Sequence, residues 1–244
     1  MKKTLLKTLA FLFSFSAFSQ NTLPESSETK ILLLDNTLLK IRKLYTLAES
    51  INNTDIGRAK RIFHLSYHIA KENNHQEWIP KIEFNLGNVG ANLSQPDSAL
   101  YYYNRALYAF QKQNNLKWEA KIFGRICLVY NYLGNFDKAL LYGFRALTIY
   151  QKLNDPIGIA KANSDLASVF FSQNKSNEAI SYAQKAYDEQ KQSNILRDLS
   201  TSAQILGDAW MLSGNFQKAL AFLNESLKIR RLFNYDTDIA LSLN

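Results

Sequence analysis

The sequence contains few residues that stop helices and few that form covalent links. Its 244 residues include 4 prolines, 9 glycines and 1 cysteine. A single cysteine excludes an intramolecular disulfide, and the scarcity of proline and glycine favours helix along most of the chain. Beyond the N-terminal segment, no stretch is apolar for long enough to cross a bilayer.

Motifs that mark catalysis are also missing. The sequence has no P-loop, no nucleophile elbow, no HExxH and no CxxC. His64, His68 and Glu72 follow one helical stripe and could hold a metal, but an exposed polar helix face is the better explanation. We therefore expect no catalytic residues, no metal site, no cofactor and no enzymatic activity.

The formal net charge is +8. A basic chain can indicate nucleic-acid binding. Here three lysines fall within the first seven residues, and the other positive side chains are dispersed among carboxylates. Solvated helix faces explain this pattern better, so we expect no nucleic-acid partner.

Residues 1–19 are typical of a cleavable secretion signal of a Gram-negative bacterium. An apolar stretch over residues 8–18 is too short to span a bilayer, and it follows three lysines: Lys2, Lys3 and Lys7. Ala17 and Ser19 supply the small residues of a cleavage site after Ser19. We expect an exported protein, periplasmic or secreted, with no membrane span after cleavage; an uncleaved N-terminal anchor is the alternative.

A short polar leader separates the signal from a long helical region. Residues 20–28 are polar and include Pro24, which predicts a flexible leader. From Thr29 onward, apolar residues recur at spacings of three and four, which predicts helix. The helical region is expected to extend over residues 29–239.

Alanine recurs every 40 residues through most of this region. The positions are Ala59, Ala99, Ala139, Ala179 and Ala219. A fixed period of about 20 to 50 residues marks a repeat architecture, in which each unit buries its apolar face by stacking on its neighbours. Five units are predicted, at residues 40–79, 80–119, 120–159, 160–199 and 200–239.

Each unit is expected to contain two amphipathic helices joined by a short turn. Gly134-Asn135 and Gly214-Asn215 are such turns, because glycine and asparagine accept the left-handed conformation that ends a helix. Residues 240–244 begin an incomplete sixth unit. Either this segment packs as a partial cap, or the chain is the front part of a longer protein.

These columns resemble the tetratricopeptide repeat (TPR) family. The family pattern is a large apolar residue followed by a small one, an aromatic residue three further on, a turn with glycine, and an alanine. The fifth unit shows it as Leu206, Gly207, Trp210, Gly214, Phe216 and Ala219. The resemblance covers residues 80–239 and implies an all-α, right-handed helix-turn-helix repeat solenoid (a TPR-like superhelix), with longer helices than the usual period of about 34 residues allows. Gly90 and Gly143 stand where aromatic residues are expected.

The resemblance also implies a peptide-binding groove lined by the first helix of each unit. The groove positions are Lys81, Asn85, Asn88, Lys121, Arg125, Asn131, Tyr132, Lys161 and Phe171; Asn92, Asp165, Asp208 and Met211 occupy further ones. Amides would bind a peptide backbone, lysines its carboxylates and aromatic rings its side chains. Asn85, Lys121 and Arg125 match half of a co-chaperone carboxylate clamp, whose other half is absent.

The function that we predict is an exported, non-catalytic tetratricopeptide-repeat scaffold that binds a protein or peptide partner in its concave groove. The alternative is the periplasmic sensory input region of a signal-transduction protein, truncated before its histidine kinase or helix-turn-helix regulator.

Overall fold

The computed structural model describes residues 26–193 and 196–242. Within these ranges every regular element is an α-helix, and the helices form two compact units, one up to His75 and one from Gln76 onward. The all-α fold class predicted from the sequence is confirmed. The predicted signal peptide, residues 1–19, lies outside the described residues.

Three helices form the first unit: α1 Ser26–Leu32, α2 Thr37–Ile51 and α3 Ile56–Glu72. The pair α2–α3 packs around fully buried Leu44 and Phe63. Glu28 of α1 forms an ion pair with Arg58 of α3, with 3.0 Å between the Glu28 Oε1 and Arg58 Nε atoms. Residues 26–28, which the sequence analysis placed in the flexible leader, belong to helix α1. The Glu28–Arg58 ion pair attaches this helix to α3.

Eight helices form the described part of the second unit. They are α4 Ile79–Asn92, α5 Pro96–Lys112, α6 Leu116–Tyr132, α7 Phe136–Lys152, α8 Pro156–Ser172, α9 Ser176–Gln192, α10 Leu196–Leu212 and α11 Phe216–Ser242. They pack as successive pairs, α4–α5 to α10–α11, and each second helix also contacts the first helix of the next pair. The first helices from α6 onward begin four residues before the predicted unit starts at 120, 160 and 200.

One type of turn ends nearly every helix, and it recurs every 20 residues. Residues with φ between 49° and 82° stand at Asn74, Ser94, Asn114, Gly134, Asn154, Asn174 and Gly214. Except after Asn74, the next helix begins two residues later. The residue between is its N-cap, and Asn115, Asn135 and Asp155 cap by accepting a hydrogen bond from a backbone N–H three residues later. The connections within and between pairs are thus the same structure, which explains why the first helices begin where they do.

Small side chains lie where the helices of a pair approach most closely. The alanine column of the second unit is buried at Ala99, Ala139, Ala179 and Ala219. Cys127 is also buried, and burial raises the pKa of its thiol, with a further contribution from Asp165. The interpretation of Cys127 as a small buried residue is confirmed.

The two glycines that depart from the family pattern also lie at close approaches. A Cβ atom on Gly90 would stand 2.9 Å from the backbone nitrogen of Ala99, and one on Gly143 would stand 2.7 Å from the Leu166 side chain. There is no room for an aromatic residue at either position. The departures from the family pattern are therefore compensated by closer helix contacts.

Candidate binding groove

The first helices of successive pairs share a face of the second unit. α6 contacts α8, and α8 contacts α10, in addition to the contacts that each makes with its own second helix; α4 and α6 also touch. We call the exposed side of α4, α6, α8 and α10 the groove face. Most of the predicted binding residues lie on these helices, so the groove face is where their geometry can be tested.

A cavity of about 240 Å³ opens on the groove face between α4 and α6. It is lined by Asn88, Ala91, Asn92, Ser94, Pro96, Tyr103, Arg125, Leu128, Val129 and Tyr132. Four residues at predicted groove positions meet there, namely Asn88, Asn92, Arg125 and Tyr132. Tyr132 is 68% exposed, so its ring forms an accessible rim.

Tyr103 of α5 forms part of the cavity lining, and the sequence analysis did not identify it. Its hydroxyl donates a hydrogen bond of 2.8 Å to Asn88 Oδ1, and Asn88 Nδ2 donates one of 2.9 Å to Asn85 Oδ1. Burial raises the pKa of Tyr103, against a lowering by Arg125, so the phenol stays a donor. The available signal was Gly87: its missing side chain leaves room for the Tyr103 ring.

Arg125 brings unused hydrogen-bonding capacity to the cavity. Its Nε atom is buried and has no hydrogen-bond partner among the residues that the structure describes. Leaving a buried donor unsatisfied costs about 1–3 kcal/mol, and such groups call for an explanation. Because Arg125 also lines the cavity, a ligand with acceptor groups there would contact this side chain.

Asp165 of α8 lies one repeat after Arg125 in the same column. Its Oδ2 atom stands 2.8 Å from the point where a Cβ on Gly124 would be, so the carboxylate occupies the space that this glycine leaves open. Burial raises the pKa of Asp165 to about 6, against the lowering effects of Arg125 and Lys161 and with a further raising effect of Asp198. The groove face therefore carries an acid that titrates close to neutral pH.

Two of the predicted lysines lie over aromatic rings. Lys81 Nζ is 5.1 Å from the centroid of the Trp78 ring, and Lys121 Nζ is 4.4 Å from that of Trp118. Each pair is a Trp-x-x-Lys sequence at the N-terminal end of its helix, which the sequence alone could have revealed. In the next repeat Gly158 replaces the tryptophan, and the charge of Lys161 lowers the pKa of Asp165.

The sequence matches no family model and no curated protein. Solved structures do match the fold. BtubC (BKLC) from P. vanneervenii is 20% identical, with 85% of this chain and 88% of that chain covered and a TM-score of 0.66. A putative kinesin light chain from Podosopora anserina with nearly identical TPR-like repeats is 14% identical, with 81% of this chain and 97% of that chain covered and a TM-score of 0.60. The fold is that of tetratricopeptide-like repeats.

A Rap protein complexed with competence and sporulation factor has the same tetratricopeptide-like arrangement. It is 16% identical, with 86% of this chain covered and a TM-score of 0.75. The chain spans 59% of the length of that protein. Identities this low establish the fold and leave the function to be argued from the residues of this chain.

The tetratricopeptide-like fold separates the other predicted groove residues from the cavity. Asn85 is 7% exposed, and its Oδ1 atom orients Asn88 by accepting a hydrogen bond from the Asn88 amide. Phe171, 37% exposed, lies near the end of α8, and Asn131 has a buried Oδ1 atom with no partner within the described ranges. Lys81, Lys121 and Lys161 lie along the same helices as the cavity but do not line it.

The histidine stripe lies in the first unit, on α3. The pKa of His64 is lowered by burial and then by the charges of Lys60 and His68. In the ranges that the structure describes, no group of three or more His, Cys, Asp or Glu side chains is arranged to hold a metal. No helix in those ranges combines the length and the hydropathy needed to cross a bilayer.

Proposed function

We propose that this chain is a non-catalytic scaffold that binds a protein or peptide partner on its groove face. The observation that carries the proposal is the cavity in which the unsatisfied Arg125 donor, the Asn88 amide and the exposed Tyr132 ring converge. The Rap protein of similar fold, described in a complex, is consistent with binding on such a scaffold.

The side chains around the cavity favour a partner with acceptor groups. Arg125 can donate to a main-chain carbonyl or to a carboxylate. Lys81 and Lys121 carry their ammonium groups on the same face, supported by tryptophan rings. An extended segment with acidic side chains and an apolar residue against Tyr132 would complement all of these groups.

Site-specific photo-crosslinking tests where the partner lies. A photoreactive phenylalanine analogue at Tyr132 is expected to give a discrete crosslinked product in the envelope fraction of the producing bacterium. The matched control is the same analogue at Tyr108, an exposed tyrosine on α5 that does not line the cavity. Equal crosslinking from both positions would rule out a preference for the cavity.

Arg125→Gln is expected to weaken capture of the same crosslinked partner about 10-fold to 100-fold, since a hydrogen bond to a charged group contributes about 1.5–3 kcal/mol. Lys152→Gln removes an exposed positive charge from α7 and should leave capture unchanged. Circular dichroism of both variants checks that the fold is retained. Undiminished capture by Arg125→Gln would contradict a role for this residue.

We also propose that the chain is exported. The support is the arrangement of residues 1–19, with basic residues, an apolar stretch and small residues at Ala17 and Ser19. The mature protein is expected in the periplasm or the medium with Gln20 at its N-terminus. N-terminal sequencing that reads Met1 from a cytoplasmic fraction would overturn this proposal.

The second candidate is the sensory input region of a signal-transduction protein. A histidine kinase or helix-turn-helix coding sequence immediately downstream would support it. A stop codon followed by unrelated genes would favour the free scaffold.

A further inference from the structure

Each second helix in the second unit uses two apolar columns to receive the next helix pair. The columns are Leu100, Leu140 and Ile180, and Leu107, Leu147 and Tyr187. Ile180 and Tyr187 of α9, for example, pack in one cluster with Leu199, Ala203 and Leu206 of α10. None of these six column residues is fully exposed. The columns therefore mark the surface on which another helix seats.

On α11 the same columns continue as Leu220 and Leu227, and here they are 62% and 45% exposed. The opposite side of α11 is fixed to α10, where Ser226 Oγ donates a hydrogen bond of 2.7 Å to the Ser200 carbonyl. The exposed side also holds a shallow groove of about 490 Å³, lined by Asn224, Leu227, Lys228, Arg231 and Leu232. We call this surface, formed by Leu220, Leu227 and the residues that line the groove, the α11 face. It has the shape and the apolar pattern of a surface on which another helix packs.

The charges of the α11 face differ from those of the earlier seats. Lys228 follows Tyr108, Thr148 and Asp188 in its column, and Arg231 follows Gln111, Gln151 and Lys191. Lys228 and Arg231 are both exposed beside the apolar groove. Complementarity therefore requires carboxylates on the occupant. A second copy of α11 would bring its own lysine and arginine to the seat, which disfavours self-association.

We propose that the α11 face binds an amphipathic helix of a partner protein, with an apolar stripe on Leu220 and Leu227 and acidic flanks beside Lys228 and Arg231. Recognition would follow the helix-in-groove mode, with apolar anchors at spacings of three and four residues. The surface is separate from the groove face, because α11 is a second helix and the groove face is formed by first helices.

Two designed peptides of about 18 residues, long enough to form a helix on binding, test the proposal. Both carry leucines on one stripe; one has glutamate flanks and the other lysine flanks. By fluorescence anisotropy with the full chain, the acidic peptide is expected to bind at least tenfold more tightly. Equal affinity for the two peptides would overturn the charge argument.

Variants of the exposed side chains localise the binding. The double change Leu220→Ser/Leu227→Ser is expected to lower the affinity for the acidic peptide at least tenfold. The double change Lys228→Glu/Arg231→Glu should make the protein bind the lysine-flanked peptide more tightly than the acidic one. Lys152→Gln, which removes an exposed charge from α7, is the matched control and should leave peptide affinity unchanged. A loss of affinity in Arg125→Gln instead would place the peptide on the groove face and overturn the proposal. Unaltered affinity in the leucine variant would overturn the proposal, as would a wild-type dimer in analytical ultracentrifugation that this variant dissociates.

Discussion

Replacing Asp165 by asparagine is expected to increase the free energy of unfolding at pH 7 by about 3 kcal/mol, because a shift of one pKa unit corresponds to about 1.4 kcal/mol. Burial raises the pKa of Asp165 from the ordinary 3.8 to about 6. At neutral pH the folded protein must therefore hold a charged carboxylate in an unfavourable site. Asparagine has nearly the same shape and no charge, so the variant avoids this cost.

The same change should remove a pH dependence. Between pH 3.8 and about 6 the folded chain binds the Asp165 proton more tightly than the unfolded chain does, so stability contributed by this group falls as pH rises through that window. Urea unfolding of wild type and Asp165→Asn at several pH values measures the difference between them. Asp137→Asn, which changes an exposed carboxylate on α7, should keep the wild-type profile. Parallel profiles for wild type and Asp165→Asn would contradict the prediction.

Gly90→Ala is expected to destabilise the protein by about 1–3 kcal/mol, although alanine is the better helix former by about 1 kcal/mol. The new Cβ would stand 2.9 Å from the Ala99 nitrogen and 3.2 Å from its Cα atom. Backbone atoms cannot rotate away as a side chain can, so α4 and α5 must separate along their whole contact. The loss of packing should exceed the gain in helix propensity.

Gly57→Ala is the control for this effect. Gly57 is also helical, but a Cβ there would meet no heavy atom closer than 3.8 Å, which is an ordinary contact. Stability should stay unchanged or rise slightly. Urea midpoints compared at constant m-value separate the two glycines. If both variants have the same midpoint, the close approach of α4 and α5 at Gly90 is not the reason for glycine there.

Asp165 also bears on the proposed binding role. Asp165 is an acid beside the bases Arg125 and Lys161 on the groove face. Its charged form lowers the free energy of unfolding at neutral pH, and a residue with a purely structural role would not require this loss. A partner with a donor beside Asp165 and an acceptor beside Arg125 would satisfy both. The stability gain expected for Asp165→Asn should therefore come with weaker partner capture.

The sequence predicted part of the groove for a reason that can be stated. Arg125 and Asn88 were found because the family resemblance assigns these positions of a unit to the groove, and the 40-residue period locates them in this sequence. Tyr103 was missed because it belongs to a second helix, which the resemblance assigns to packing. Its hydroxyl reaches Asn88 only because Gly87 lets the ring approach α4, and such a close approach depends on residues from two helices at once.

The sequence by itself determined the helical class, the 40-residue repeat and the turns, because these depend on local preferences: left-handed glycine and asparagine, capping side chains and helical periodicity. Only the tertiary structure decided that Asn85 is buried, that Arg125 keeps an unsatisfied donor, and that Leu220 and Leu227 are exposed where their equivalents are covered. Burial and hydrogen bonding depend on which helices pack together, and equivalent positions in the period differ once their neighbours differ.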